Sequence, residues 1–141
     1  MAAPPKKTRV YISFDYDHDD DLRRMLLGQA KHHDTPFGFE DWSIKHETKG
    51  WKEDARKRIK RCDVVIVICG HYTDRAVGVS EEIKIAREEA VPYYLLQGRK
   101  SGTCRRPGGK TGSRDTINAW TWPNVAAICT VKRRSFWTKI W

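Results

Sequence analysis

Six consecutive apolar residues, Val64-Val65-Ile66-Val67-Ile68-Cys69, run into Gly70 and constrain this chain more than any other segment. Most are β-branched, which favours extended backbone. A strand with no polar side must be covered on both faces, as in the middle of a parallel sheet. A short turn through His71, Tyr72 and Thr73 follows, and Ser80-Glu81-Glu82-Ile83 opens a helix. Ligands of open α/β sheets sit beyond the carboxyl ends of the strands. The segment therefore puts a carboxyl side chain where a site belongs.

The flanking sequence repeats this alternation. Arg9 to Phe14 reads as a first strand, rich in β-formers, and Asp15 to Asp21 as an acidic loop entering a helix that carries Leu22, Met25 and Leu26 at helical spacing. Phe37 to Glu40 reads as a short second strand and Asp41 to Gly50 as a polar loop. Trp51, Ala55 and Ile59 sit four apart on a helix whose other face is basic. A third helix is expected over roughly Val79 to Glu89, and a strand over Val91 to Gln97 with Pro92 at its start, where a missing N–H is tolerated. Val125 to Thr130 reads as a fifth strand. The expected architecture is α/β, a flavodoxin-like three-layer sandwich with a mostly parallel five-stranded sheet and helices on both faces. Residues 1–8 are expected to be a frayed tail and 9–141 one domain, with 98–115 a long, basic, mobile loop.

Composition narrows the function. The chain of 141 residues suits one domain with a real core. No apolar stretch approaches the roughly 20 residues of a transmembrane helix, and Met1 to Thr8 has no apolar core of a secretory signal. A cytoplasmic protein is expected, with no membrane partner. Cys62, Cys69, Cys104 and Cys129 form no CxxC pair and do not cluster with histidine, so they read as reduced thiols and no metal site is expected. The net charge is +9, and Gly98 to Trp141 holds ten Lys/Arg against one acid, Asp115. Such a region attracts anions, but no helix-turn-helix, RRM or zinc-finger pattern accompanies it, so nucleic acid is not the expected partner.

Several nucleotide-site patterns fail on particular residues. Gly108-Gly109-Lys110-Thr111 ends like a P-loop, but the first glycine of GxxxxGK[ST] falls on Cys104. There is no GxGxxG. Asp15 and Asp17 could form the acidic pair of a phospho-receiver, yet the central strand ends in Cys69-Gly70 and offers no acceptor aspartate.

Another set of residues carries a resemblance. Ser13-Phe14 ends the first strand, Phe39-Glu40-Asp41 leads a loop closing at Gly50, and Gly70-x-x-Thr73 precedes Glu82-Ile83-x-x-Ala86. In this order the chain resembles a TIR domain, and more narrowly the short TIR-like family that includes the TIR subunits of bacterial Thoeris anti-phage systems. The resemblance runs from about Arg9 to Leu96. It implies cleavage of the nicotinamide–ribose bond of NAD+, with Glu82 as the catalytic residue. It also implies substrate contacts from Phe14, Asp15 and Tyr16 after the first strand, Asp41 and Trp42 after the second, and Tyr72 and Thr73 after the third. NAD+ would be a substrate, with no further cofactor. The resemblance also implies a homo-oligomer that completes the site, a phage-derived trigger, and a downstream effector reached through an ADP-ribose-derived signal. Gly78 stands where many relatives carry a tryptophan. Glu81 adjoins Glu82, and adjacent helix positions point about 100° apart, so one of the two faces the site.

The chemistry is sound in itself. Loss of nicotinamide from its cationic pyridinium leaves an oxocarbenium-like ribosyl cation, and a carboxylate beside it stabilises that charge. Water, an atom of the same molecule or a small co-substrate can then complete the reaction. Two other readings remain at this point. One is a non-catalytic interaction module in which Glu82 is a first-turn acid. The other is a nucleic-acid regulator using Arg105, Arg106, Lys132, Arg133 and Arg134.

Overall fold

A computed structural model describes residues 8–31, 49–107 and 116–129. The elements in chain order are β1 (Val10–Ser13), α1 (Asp20–Ala30), α2 (Trp51–Arg61), β2 (Val64–Cys69), a 3-10 turn (Thr73–Arg75), α3 (Val77–Glu88), β3 (Tyr93–Gln97), β4 (Ile117–Asn118) and α4 (Trp122–Cys129). The four strands form one parallel sheet in the order β1-β2-β3-β4. Val10 pairs with Val64 and Ser13 with Val67, while Cys69 pairs with Gln97.

Side chains alternate across the sheet as strand geometry requires. Val10, Ile12, Val64, Ile66, Ile68 and Leu96 pack on one face against Leu22 and Leu26 of α1 and Val125 and Ile128 of α4. Tyr11, Val65, Val67, Cys69 and Leu95 pack on the other against Ala55 and Ile59 of α2 and Val79, Ile83 and Ala86 of α3. All six residues of β2 are buried, so the apolar run is the covered strand its composition predicts. The architecture is a three-layer α/β sandwich. On the second face, Arg56 of α2 joins Glu89 at 2.7 Å and Glu88 at 3.0 Å, tying α2 to the end of α3.

Three expectations change. Val125 to Thr130 is not a fifth strand: Val125 to Cys129 belong to α4. The short apolar run fits either structure by periodicity. The start favours helix, because the Thr121 hydroxyl accepts from the Asn124 N–H at 3.4 Å and Pro123 occupies the first turn, where no amide is needed. Val125, Ile128 and Cys129 then fall on one buried stripe. The fourth described strand is instead Ile117–Asn118, paired with Leu95 and Leu96. Thr8, expected in the tail, is buried. The predicted strand Phe37 to Glu40 lies outside the described residues.

Candidate functional site

Glu82 occupies a position its helix would otherwise give to an apolar side chain. Val79, Ile83 and Ala86 of α3 are buried against the sheet, and Glu82 lies in the same stripe at 1% exposure. Tyr11 and Ser13, two residues apart on β1, share the strand face turned to α3. The Tyr11 hydroxyl donates to Glu82 Oε2, and the Ser13 hydroxyl donates to Oε1 at 2.9 Å. A buried carboxyl group costs free energy unless it is hydrogen-bonded, and strand β1 supplies the donors. Glu81, about 100° round the helix, is half-buried and does not share this position.

Just beyond Ser13 the chain turns over the carboxyl edge of the sheet. Asp15 Oδ1 accepts from the Asp17 N–H at 3.0 Å, and Asp15 Oδ2 lies 2.6 Å from His18 Nδ1. The His18 ring stacks on Tyr72, with centroids 4.3 Å apart, so the loops after β1 and β2 meet there. Thr73 is buried and its hydroxyl accepts from the Gly70 N–H at 2.7 Å, pinning the turn that follows β2.

Asp19 is the second buried acid at this edge, 1% exposed. Its Oδ1 accepts from Arg99 at 3.2 Å, while Oδ2 is buried with no hydrogen-bond partner. Arg99, in the segment after β3, also forms a bidentate pair with Asp21, both contacts at 2.8 Å, and donates to the His18 carbonyl at 2.8 Å. One guanidinium thus connects the ends of β1 and β3. Burial raises the Asp19 pKa above the usual aspartate value, while the hydrogen bond from Arg99 holds Asp21 below it.

Beside this cluster lies a cleft of about 310 Å³ lined by His71, Tyr72, Arg75, Gly102, Thr103 and Arg105. Glu82 is not among its lining residues. Residues 98–107 have no helix or strand and are anchored to the sheet, while 108–115 of the expected loop lie outside the described residues. Arg99 holds one end, the Arg105 N–H donates to the Gly70 carbonyl at 2.9 Å, and Pro107 is buried.

The other reactive side chains are less suited to chemistry. Burial pushes the Cys69 and Cys129 thiols up to about 12, so neither is a thiolate nucleophile at neutral pH. Among the described residues no group of His, Cys, Asp and Glu is arranged to hold a metal ion, and no helix is long and apolar enough to cross a membrane.

The residues singled out from sequence divide into groups. Asp15 and Tyr72 meet through His18 at the carboxyl edge, and Thr73 shapes the turn there. Phe14 faces the core, 1% exposed, with its ring 4.1 Å from that of half-buried Tyr16 and under the Arg23 guanidinium. Glu82 lies beneath β1. Asp41 and Trp42 lie outside the described residues. Sequence reasoning missed Tyr11, His18, Asp19 and Arg99. Ser13 was noted only as the end of a strand. The alternation of β1 would have paired Tyr11 with Ser13 on one face, but no local pattern announces Arg99.

A parallel sheet covered on both faces, with buried carboxyl groups at the end of its first strand, defines a doubly wound α/β domain with its candidate site at the carboxyl edge. The family model for the Thoeris protein ThsB, TIR-like domain, matches residues 11–97, more than half of the chain, and the chain belongs to this family. No curated protein matches the chain at a significant level. A solved structure described as the Trypanosoma brucei CTPS glutaminase domain with bound acivicin is similar at 15% identity and a TM-score of 0.43, over 64% of this chain and 36% of that one. This chain thus spans little more than a third of that protein.

Proposed function

We propose that this TIR-like domain cleaves the nicotinamide–ribose bond of NAD+ and makes an ADP-ribose-derived signal in anti-phage defence, with Glu82 as the carboxylate beside the ribosyl cation. The observation that supports this reading is the Glu82 carboxyl group held by hydroxyls of Tyr11 and Ser13 where β1 ends. An apolar residue would pack α3 on β1 without the desolvation cost, so a carboxyl group there points to a chemical role. Two hydroxyls from one rigid strand fix its direction, and a preorganised negative charge stabilises a developing cation without reorganisation. Nicotinamide leaves as a neutral base, so no general acid is required.

A second reading is a non-catalytic interaction module. It draws support from the 1% exposure of Glu82 and from the nearby cleft, which Glu82 does not line. In that case the Glu82 hydrogen bonds only fasten α3 to the sheet.

Glu82→Gln separates the two. The amide keeps the shape: its oxygen still accepts from one hydroxyl, and the other hydroxyl can rotate to accept its N–H, so the fold is retained. NAD+ incubated with concentrated protein, with and without lysate of phage-infected cells, is followed by chromatography with mass detection. Loss of NAD+ by the wild type alone supports catalysis, and the product mass distinguishes hydrolysis, cyclisation and transfer. Equal turnover by Glu82→Gln removes Glu82 from the reaction. Phage protection that survives the substitution favours the interaction module.

A further inference from the structure

Asp15 and His18 form a second reactive pair at the carboxyl edge, apart from the chemistry assigned to Glu82. His18 Nδ1 lies 2.6 Å from Asp15 Oδ2. A carboxylate only accepts, so this contact puts the proton on Nδ1 and leaves Nε2 with its lone pair. The Asp15 side chain is 10% exposed and that of His18 47%. A sheltered carboxylate thus backs an imidazole open to solvent, and among the described residues Nε2 makes no hydrogen bond.

The pair is held from several sides. The His18 and Asp19 N–H groups donate to the Asp15 carbonyl at 3.3 and 2.8 Å, closing a turn that keeps His18 beside Asp15. The Asp17 N–H fixes Asp15 Oδ1, and Arg99 donates to the His18 carbonyl. The imidazole stacks on Tyr72. A half-exposed side chain held this firmly is preorganised as a reacting group must be.

Its place in the fold brings it to the Glu82 end of the sheet. Asp15 follows Ser13 by two residues, a stretch that spans at most about 7 Å, and Ser13 donates to Glu82 Oε1. Tyr72 lies between β2 and α3, the helix that carries Glu82. Glu82 itself is 1% exposed and both of its oxygens accept from hydroxyls of β1, which suits it to stabilise a cation and not to collect a proton.

We infer, resting on Glu82 as the carboxylate of the proposed reaction, that His18 is the general base that deprotonates the acceptor, and that Asp15 is a positioning residue acting through it. The C1′–N bond breaks and its electron pair leaves with nicotinamide. The oxygen of water or an alcohol then bonds to C1′ while Nε2 takes its proton. With water the products are ADP-ribose, nicotinamide and one proton, which the imidazolium releases to solvent. A pyridine acceptor attacks through a ring nitrogen that carries no proton, so return of nicotinamide to C1′ needs no base.

That difference supplies the test. The full chain is incubated with NAD+ and isotopically labelled nicotinamide, with and without lysate of phage-infected cells. Mass detection follows products with a new C1′–O bond and label entering NAD+. His18→Asn, whose amide can still donate to Asp15, and His18→Gln should each lose about 100-fold in C1′–O products while keeping most of the label exchange. Asp15→Asn should show the same split to a smaller degree. Glu82→Gln should lose both activities. Circular dichroism establishes that each variant is folded. Undiminished C1′–O products in both folded His18 variants overturn the inference and leave Glu82 in place. Equal loss of both activities overturns it too, because that marks a substrate contact or a structural role. Absence of wild-type turnover removes the reaction itself, and the role of His18 with it.

Discussion

Ser13 Oγ donates a 2.9 Å hydrogen bond to Glu82 Oε1, joining two buried side chains 69 positions apart. Tyr11 serves the other oxygen from the same strand face. Helix α3 is therefore oriented on the sheet by polar contacts set within an apolar layer, and the direction of the carboxyl group is fixed by strand β1.

This arrangement predicts coupled energetics. Ser13→Ala or Tyr11→Phe takes one donor from a buried carboxyl group and should destabilise the fold by about 1–3 kcal/mol. Urea unfolding of Ser13→Ala, Glu82→Leu, which removes the acceptor, and the double variant closes a thermodynamic cycle. The double variant should lose less than the sum of the single ones. Strict additivity would mean that the contact carries no net energy.

Gly70, at the turn after β2, lies against Asp19 at the start of α1. A Cβ at Gly70 would stand 2.4 Å from Asp19 Oδ2. Asp19 is buried and held by Arg99, so it has little room to move. Gly70→Ala should cost about 1–3 kcal/mol, and the cost should shrink when Asp19 is first shortened to alanine. Chemical denaturation of the two variants and their combination decides this. An equal cost in both backgrounds would place the strain elsewhere.

Arg99 holds two aspartates whose titrations oppose each other. The Asp19 pKa is raised chiefly by burial. Its contribution to stability is therefore complete below the unfolded value, near 3.8, and is lost as pH rises through the folded value. Asp21 is lowered chiefly by its hydrogen bond from Arg99, so its contribution is present above 3.8 and is lost as pH falls through the folded value. Compared with Asp19→Asn, the wild type should gain relative stability as pH is lowered from neutral towards 3.8. Compared with Asp21→Asn, it should lose relative stability on further acidification. Arg99→Ala leaves buried Asp19 without its cation and should cost about 2–3 kcal/mol at neutral pH, below a fully buried pair because Arg99 is 28% exposed. Thermal unfolding across pH measures all three, and parallel profiles for wild type and Asp19→Asn would contradict the raised value.

Much of the framework was legible from local pattern. The run Val64–Cys69 became the fully buried strand β2, and Trp51, Ala55 and Ile59 marked the inward face of α2. Periodicity does less for a short apolar run. Val125 to Cys129 was compatible with strand or helix, and the Thr121 cap with Pro123 turned it into helix. The two-residue strand Ile117–Asn118 exists because β3 offers a free edge, which nothing in its own sequence announces.

The candidate site divides in the same way. Sequence spacing placed Glu82 on the helix after the central strand, because helix and strand periods are local properties of the chain. It left open whether Glu81 or Glu82 turned towards the sheet. It also missed that Tyr11 and Ser13 would meet Glu82, that His18 would stack on Tyr72, and that Arg99 would reach Asp21 from 78 positions away. Those contacts depend on strand register and on how the helices lie across the sheet. The sequence by itself determined the strands and helices from β1 to β3 and which faces they would bury. The tertiary structure alone decided which distant polar groups would share the buried edge, because packing brings them together and burial obliges them to find partners.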